Sequence, residues 1–138
     1  MADDFSLCMV SNTRMAARAV TRRYDAYLRP FGVTATQLSL LGGLRELAGA
    51  TVSEIAEARG FDRTTLTRNL DRLEAMGLVQ SRHAEHGNGR IARITPKGDV
   101  LIEQLLPLWR KAQAEMKAEL SREKFDDSIE MLQRLAKV

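Results

Sequence analysis

One stretch has residue types and spacing that suit chemistry: Asp62-Arg63-Thr64-Thr65-Leu66-Thr67-Arg68-Asn69-Leu70-Asp71-Arg72-Leu73. Wound as a helix at about 100° per residue with Leu66, Leu70 and Leu73 inward, it turns Thr64, Thr65, Thr67, Arg68, Asp71 and Arg72 outward, with Arg63 at the edge. A guanidinium can fork onto guanine. A threonine can offer its hydroxyl to a base or phosphate and its methyl to thymine. The helix N-terminus itself favours phosphate. A plain hydrophilic surface helix would have the same composition, so the neighbouring elements must decide between the two readings.

Those neighbours favour recognition. Upstream, Thr51-Val52-Ser53-Glu54 is a capping box that opens a short helix with Val52, Ile55 and Ala56 inward, and Gly60 supplies the positive φ that turns the chain. Asp62 caps the next helix, which runs to about Met76 and closes at Gly77. Leu78–His83 and Arg90–Ile94 then alternate as two antiparallel strands around a polar tip, with Gly87-Asn88-Gly89 as turn chemistry. Two short helices joined by about three residues and followed by a hairpin make a winged helix-turn-helix, in which the second helix enters the major groove. The hairpin carries Arg82, Arg90 and Arg93 against Glu85 alone, a balance that suits a minor groove.

The flanks are helical. The first helix spans about Asp4 to Leu28 and ends before Pro30 and Gly32. Thr34-Ala35-Thr36-Gln37 opens the second with another capping box, and Leu38, Leu41, Leu44 and Leu47/Ala48 form its stripe up to Gly49. Thr95-Pro96 starts a helix of about 24 residues, about 36 Å long, which Pro107 should bend. Leu101, Leu105, Leu108, Trp109, Ala112 and Met116 line one side of it. Ser121 caps a last helix with Phe125, Ile129, Leu132 and Leu135 inward. The terminal helices hold more apolar surface than one small protomer can bury, which invites a partner.

Composition bounds the rest. The chain has 138 residues, 44% hydrophobic and 28% charged, which fits one soluble globular domain. The net charge of +3 permits a nucleic-acid partner without requiring one. From Thr51 to Ile94 there are 7 Arg and no Lys against 6 Asp plus Glu, so placement carries more information than total charge. The 5% aromatic share argues against stacking platforms for single strands. No apolar run approaches the roughly 18 residues of a membrane span. The opening Met1-Ala2-Asp3-Asp4 is acidic and no basic-then-apolar leader is visible, so a cytoplasmic location is expected. With one cysteine, Cys8, an internal disulfide is impossible and a Cys-based zinc cage is disfavoured. His83 and His86 read as solvated loop residues and not as metal ligands, and no cofactor is expected. No Ser/His/acid or Cys/His set falls in a catalytic motif and no Gly-rich loop follows a strand, so no enzyme is expected.

The sequence resembles the MarR family of winged-helix transcriptional regulators over essentially its whole length. The resemblance is carried by Ala16–Asp25, Leu28-Arg29-Pro30, Thr34–Leu41, Asp62–Leu70, Glu74–Val79, Thr95-Pro96-Lys97-Gly98 and Pro107-Leu108-Trp109, in that order. It implies a homodimer held by the terminal helices, with two DNA-reading lobes. Phenols and aromatic carboxylates are typical effectors in the family, and the Arg14–Arg18–Arg22 stripe is a candidate to receive one, or a plain solvated face. Some relatives sense peroxides through one N-terminal cysteine, which makes Cys8 a candidate redox sensor; a small buried hydrophobe is the commoner use of such a residue. Tyr24 and Tyr27 are the tyrosines that could donate to a sensing thiolate. The chain departs from the family's Asp-x-Arg-x-Arg wing pattern, whose positions fall at His86, Asn88 and Arg90. The usual Asp–Arg brace should therefore be absent, Gly87 and Gly89 should leave the tip mobile, and the wing should contribute less affinity.

The expectation is one mainly α domain over 1–138. It comprises a winged helix-turn-helix lobe at about 34–95, a two-stranded wing, and dimerisation helices at about 4–30 and 96–138. The expected function is that of a DNA-binding transcriptional repressor on a pseudo-palindromic double-stranded operator, released by a small aromatic or oxidative signal. Arg63, Thr64, Thr65, Thr67, Arg68, Arg72, Arg82, Arg90 and Arg93 are the expected DNA contacts. The competing class is a winged-helix module that joins proteins and binds no DNA.

Overall fold

The computed structural model describes residues 2–87 and 89–137, within which six helices and one antiparallel pair of strands are formed. Asp4 caps a single 3-10 turn at Phe5–Leu7, its Oδ1 accepting from the Ser6 N–H at 3.0 Å. Cys8 is then extended (φ −66°, ψ 123°), so α1 begins at Met9 and not near Asp4, and runs Met9–Leu28. The turn at Arg29–Phe31 holds Pro30, and Gly32 at φ 74° reverses the chain.

α2 (Ala35–Glu46) opens on the expected capping box, with Thr34 Oγ1 accepting from the Gln37 N–H and Gln37 Oε1 accepting from the Thr34 N–H. It ends earlier than expected. Leu47 leaves helical geometry (φ −113°, ψ 43°), so Leu47 and Ala48 are exposed and do not extend the stripe. The inward residues are Gln37, Leu40, Leu41 and Leu44, with Leu38 half-buried. This face is broad because α2 is central, touching α1, α3, α4 and the second strand. α3 (Val52–Arg59) buries Val52, Ile55 and Ala56, and α4 (Arg63–Ala75) buries Leu66, Asn69, Leu70 and Leu73.

β1 (Val79–His83) pairs with β2 (Arg90–Ile94) in the register Val79↔Ile94, Ser81↔Ala92, His83↔Arg90. Ala92 is the buried β2 residue, while Ile91 and Ile94 are half-buried. One cluster joins Leu28, Leu41, Ile55, Leu70, Leu73, Leu78, Val79 and Leu105.

α5 (Pro96–Leu120) is tied to the base of the strands by its first turn. The Thr95 N–H donates to the Leu78 carbonyl (3.0 Å) and its hydroxyl to the Gly77 carbonyl (2.6 Å), while Lys97 Nζ donates to the Met76 carbonyl (2.8 Å). A Cβ on Gly98 would lie 2.2 Å from the Leu78 carbonyl oxygen, so only glycine fits this approach. Ile102, Leu105 and Ala112 are buried, and Trp109 is partly exposed. α6 (Arg122–Leu135) follows Ser121, a non-glycine residue at φ 73°. Phe125 is its one buried residue and stands apart from the main core cluster; Ile129 and Leu132, expected inward, are 40% and 50% exposed, α5 being the element against which α6 mainly packs.

Candidate nucleic-acid interface

α3 and α4 are joined by Gly60-Phe61-Asp62, with Gly60 at φ 73° and the Phe61 N–H returned to the Ala56 carbonyl at 2.9 Å. Asp62 accepts from the Thr65 N–H (2.7 Å) on one oxygen and from the Thr65 hydroxyl (2.9 Å) on the other. These two bonds, the backbone one first, hold the Asp62 carboxyl below the usual carboxylate range. The outer face of α4 therefore divides. Arg63, Thr64, Thr67, Arg68 and Arg72 are exposed, whereas Thr65 is half-buried with its hydroxyl committed to the cap. Helical spacing alone puts Thr65 among the residues facing a ligand; the cap geometry gives its hydroxyl a different partner.

The strand register sorts the wing arginines. Residues paired across strands share a face, so Val79, Ser81 and His83 lie with Ile94, Ala92 and Arg90, and Gln80 and Arg82 lie with Arg93 and Ile91. On the first face, Arg90 donates to Glu74 (2.9 Å) and Asp71 (3.2 Å), both on α4. Glu74 also accepts from the N–H and hydroxyl of Ser81, each at 2.9 Å. A brace is thus present where the departure from the family pattern suggested none. It runs from wing to helix, and its acids come from α4, not from the wing. The Ser81 backbone N–H, its hydroxyl and then the Arg90 charge hold Glu74 below the usual carboxylate range. The tie is therefore fully made above about pH 4.3, the ordinary Glu value, and is lost in acid as the pH falls through the lowered one.

On the other face Arg93 donates to Gln80 (2.8 Å), Arg82 donates to the His83 carbonyl (3.2 Å), and both side chains are exposed. At the tip the Ala84 N–H donates to the Gly89 carbonyl (2.7 Å). Gly87 has φ 84°, while Gly89 serves close packing, since a Cβ there would lie 2.7 Å from Thr51 Cγ2. Asn88 lies outside the described residues. His83 and His86 are exposed, and among the described residues no group of three His, Cys, Asp or Glu is placed to hold a metal ion.

Three features stand apart from this surface. A cavity of about 590 Å³ between α1, α2 and α5 has an apolar wall including Val20, Leu38, Ile102, Leu106 and Trp109, with Tyr24, Gln113, Glu46, Arg45 and Arg59 among its polar groups; Arg59 is paired with Glu46, and Arg45 with Asp99 (3.2 Å) and Glu103 (3.1 Å). The Arg14–Arg18–Arg22 stripe is exposed and lines no part of it. Cys8 is half-buried just ahead of α1, and the nearby Ser11 N–H, Ser11 hydroxyl and Val10 N–H dipoles lower its thiol pKa, although the side chain makes no capping bond. Neither tyrosine serves it in the protomer. Tyr24 bonds to Gln113 and Tyr27 to Glu115, and Tyr24 lies about 24 Å along the same helix from Cys8.

A model of the MarR family matches residues 31–90, the span of the helix-turn-helix and most of the wing. YwoH of Bacillus subtilis, an uncharacterised HTH-type transcriptional regulator, is 27% identical over 111 residues, covering 80% of this chain and 81% of that protein. The M. tuberculosis transcriptional regulator MosR, solved in complex with DNA, superposes with a TM-score of 0.83 at 35% identity over 94% of each chain. A cysteine-to-serine mutant of E. coli MarR, complexed with operator DNA, gives a TM-score of 0.82 at 25% identity over 97% of this chain and 99% of that one. Identity at this level over nearly the full length, together with the α3–turn–α4 unit and its hairpin, assigns the fold and the family at once: the chain belongs to the MarR family of winged-helix transcriptional regulators.

Proposed function

We propose that the chain is a homodimeric repressor that binds a pseudo-palindromic DNA duplex and is released by a small aromatic acid, a phenol or an oxidant. The observation that carries the DNA-binding reading is the open face of α4: Thr64, Thr67 and Arg68 are all exposed above a seam of Leu66, Leu70 and Leu73 that is at most 3% exposed. The working unit is one domain with its reading lobe at about 34–95 and its dimer helices at about 4–30 and 96–138. Arg63, Thr64, Thr67, Arg68 and Arg72 read or grip the major groove, and Arg82 and Arg93 reach phosphates or the minor groove. No catalytic role is assigned to any residue, and a cytoplasmic location follows from a chromosomal partner. No helix among the described residues is long and apolar enough to cross a membrane.

Selection of bound duplex from a random pool, repeated with peroxide and with an aromatic acid, tests this reading. A two-fold motif with half-sites about one turn, roughly 34 Å, apart is the expected result. Binding that is only weak and independent of sequence would leave the protein-joining module in its place.

The wing arginines separate in the same assay. Arg82→Ala should weaken binding on all duplexes and reduce the slope of log affinity against log salt by about 1, as for a lost phosphate contact. Arg90→Ala should weaken operator binding while leaving that slope unchanged, because Arg90 acts on α4. A slope lowered equally by both changes would make Arg90 a contact and not a strut.

The α1–α2–α5 cavity suits an aromatic carboxylate, with the ring against the apolar wall and the anion competing with Glu46 for Arg59, or with Asp99 and Glu103 for Arg45. For the oxidative signal, the Cys8 thiolate attacks a peroxide oxygen, the O–O bond breaks with water or hydroxide leaving, and a sulfenic acid remains. The lowered thiol pKa favours this step. Cys8→Ser should bind operator as the wild type does under reducing conditions and keep that affinity after peroxide treatment. Equal loss in both proteins after peroxide would remove Cys8 from the switch.

A further inference from the structure

Among the described residues two polar side chains lie in the buried interior, Gln37 on α2 (4% exposed) and Asn69 on α4 (7%), and they are bonded to each other. Gln37 Nε2 donates to Asn69 Oδ1 at 3.3 Å, and Asn69 Nδ2 donates to the Thr65 carbonyl at 2.8 Å. The other end of the Gln37 amide is also held, Oε1 accepting from the Thr34 N–H at 3.1 Å. The neighbouring Ala35 N–H donates to Asp25 Oδ1 of α1 at 2.6 Å. A continuous set of directional bonds thus runs from the end of α1, through the first turn of α2, to the middle of α4.

Net stability is a poor explanation for this pair. Buried amides exchange water bonds for protein bonds at little gain, and replacing both partners by apolar groups of similar shape is often close to neutral. An amide pair differs from two leucines in being directional. Rotating α4 by one residue, about 100°, or sliding it by about 1.5 Å would strand both amides in an apolar interior. Leu66, Leu70 and Leu73 impose no such condition, since a leucine packs acceptably in several neighbouring settings. The rotation of α4 is also what decides which side chains face outward: Arg68 directly precedes Asn69, and Thr64 directly precedes Thr65, whose carbonyl Asn69 holds. A single buried polar residue that fixes helix register is the best attested role for such groups.

We propose that Gln37 and Asn69 form a register lock for α4: positioning residues that hold its rotation against α2 and so sharpen sequence discrimination by Thr64, Thr67 and Arg68. The inference rests on the DNA-reading role given above.

The test uses the full chain, the duplex that the wild type selects from a random pool, and a scrambled duplex of equal composition. The double variant Gln37→Met/Asn69→Leu should fold, with a thermal midpoint below the wild type only by the loss of the Thr34–Gln37 capping bond that Gln37→Met removes. It should bind the scrambled duplex with wild-type affinity and salt slope. Its preference for the selected duplex should fall about tenfold or more, the scale of one mismatched base pair. The single variant Gln37→Met, which loses the same capping bond and in addition strands Asn69 Oδ1, should melt several degrees lower than the double variant. A double variant that discriminates like the wild type overturns the lock alone. A double variant that melts as low as the single one makes the pair a plain stabilising contact and also overturns it. A wild type that selects no sequence overturns the DNA-reading role and the lock together.

Discussion

With Ile129→Asp and Leu132→Asp in place, the chain should sediment as a folded monomer and bind its operator about 10²- to 10⁴-fold more weakly. Both side chains stand out from α6, at 40% and 50% exposed, beside Met131 at 51%. Phe125 is the one residue of this helix that is buried. Phe5, Leu7, Met9 and Val10 are likewise more than half exposed at the other terminus. Monomeric soluble proteins rarely leave contiguous apolar patches larger than a few hundred Å² open to water. A second copy covering them would join two lobes, so that the second half-site would be met at an effective concentration set by the tether, not by bulk diffusion. Aspartates on this face make dimer burial unfavourable and leave α2, α3, α4 and the wing untouched, so weak binding to unrelated duplex should survive. Sedimentation of the variant as a dimer, or operator affinity equal to wild type, would refute this arrangement.

The second large effect falls on α4. Arg68→Ala should cost about 1–3 kcal/mol of operator binding, about 5- to 150-fold, and relax preference at the base pairs it contacts. Arg68 is exposed on the second turn, one turn beyond Thr64 and clear of the Asp71–Arg90–Glu74 ties that occupy the C-terminal half of the helix. A planar guanidinium can make two parallel bonds to one guanine edge. Arg68→Lys should therefore recover phosphate attraction without the lost discrimination, because an ammonium has no fork. Titrations against the selected duplex and its single-base variants measure both quantities. Equal affinity for selected and random duplex, in wild type and variant alike, would overturn the role.

The local signals proved legible because they act within a single turn of helix. Thr34 with Gln37, Thr51 with Glu54, Asp62 and Thr95 all cap the helices they precede, and the Leu66–Leu70–Leu73 seam is buried at helical spacing. Gly60 takes the left-handed conformation that its place between two helices required. These features depend on neighbours three or four residues away, so the order of residues contains the whole interaction.

Other features depended on what lies across the fold. Arg90 and Arg93 look alike in sequence, yet the pairing register and the helix beneath give Arg90 to Asp71 and Glu74 and leave Arg93 with Gln80. Gln37 reads as half of a capping box, and only the approach of α4 reveals that its other end meets Asn69. Gly98 stands in a recognisable run, but the reason for it is a strand carbonyl that a Cβ would strike. Ile129 and Leu132 have the periodicity of buried residues and are exposed in the protomer, because periodicity states that a face is apolar and not what covers it. The chain order by itself determined the helices and the caps that open them from α2 onward, but not the start of α1, the end of α2 or the place of Thr65 on α4. Tertiary structure decided which polar groups are tied and which remain free, since a hydrogen bond between distant residues exists only once the packed core has brought both ends within about 3 Å.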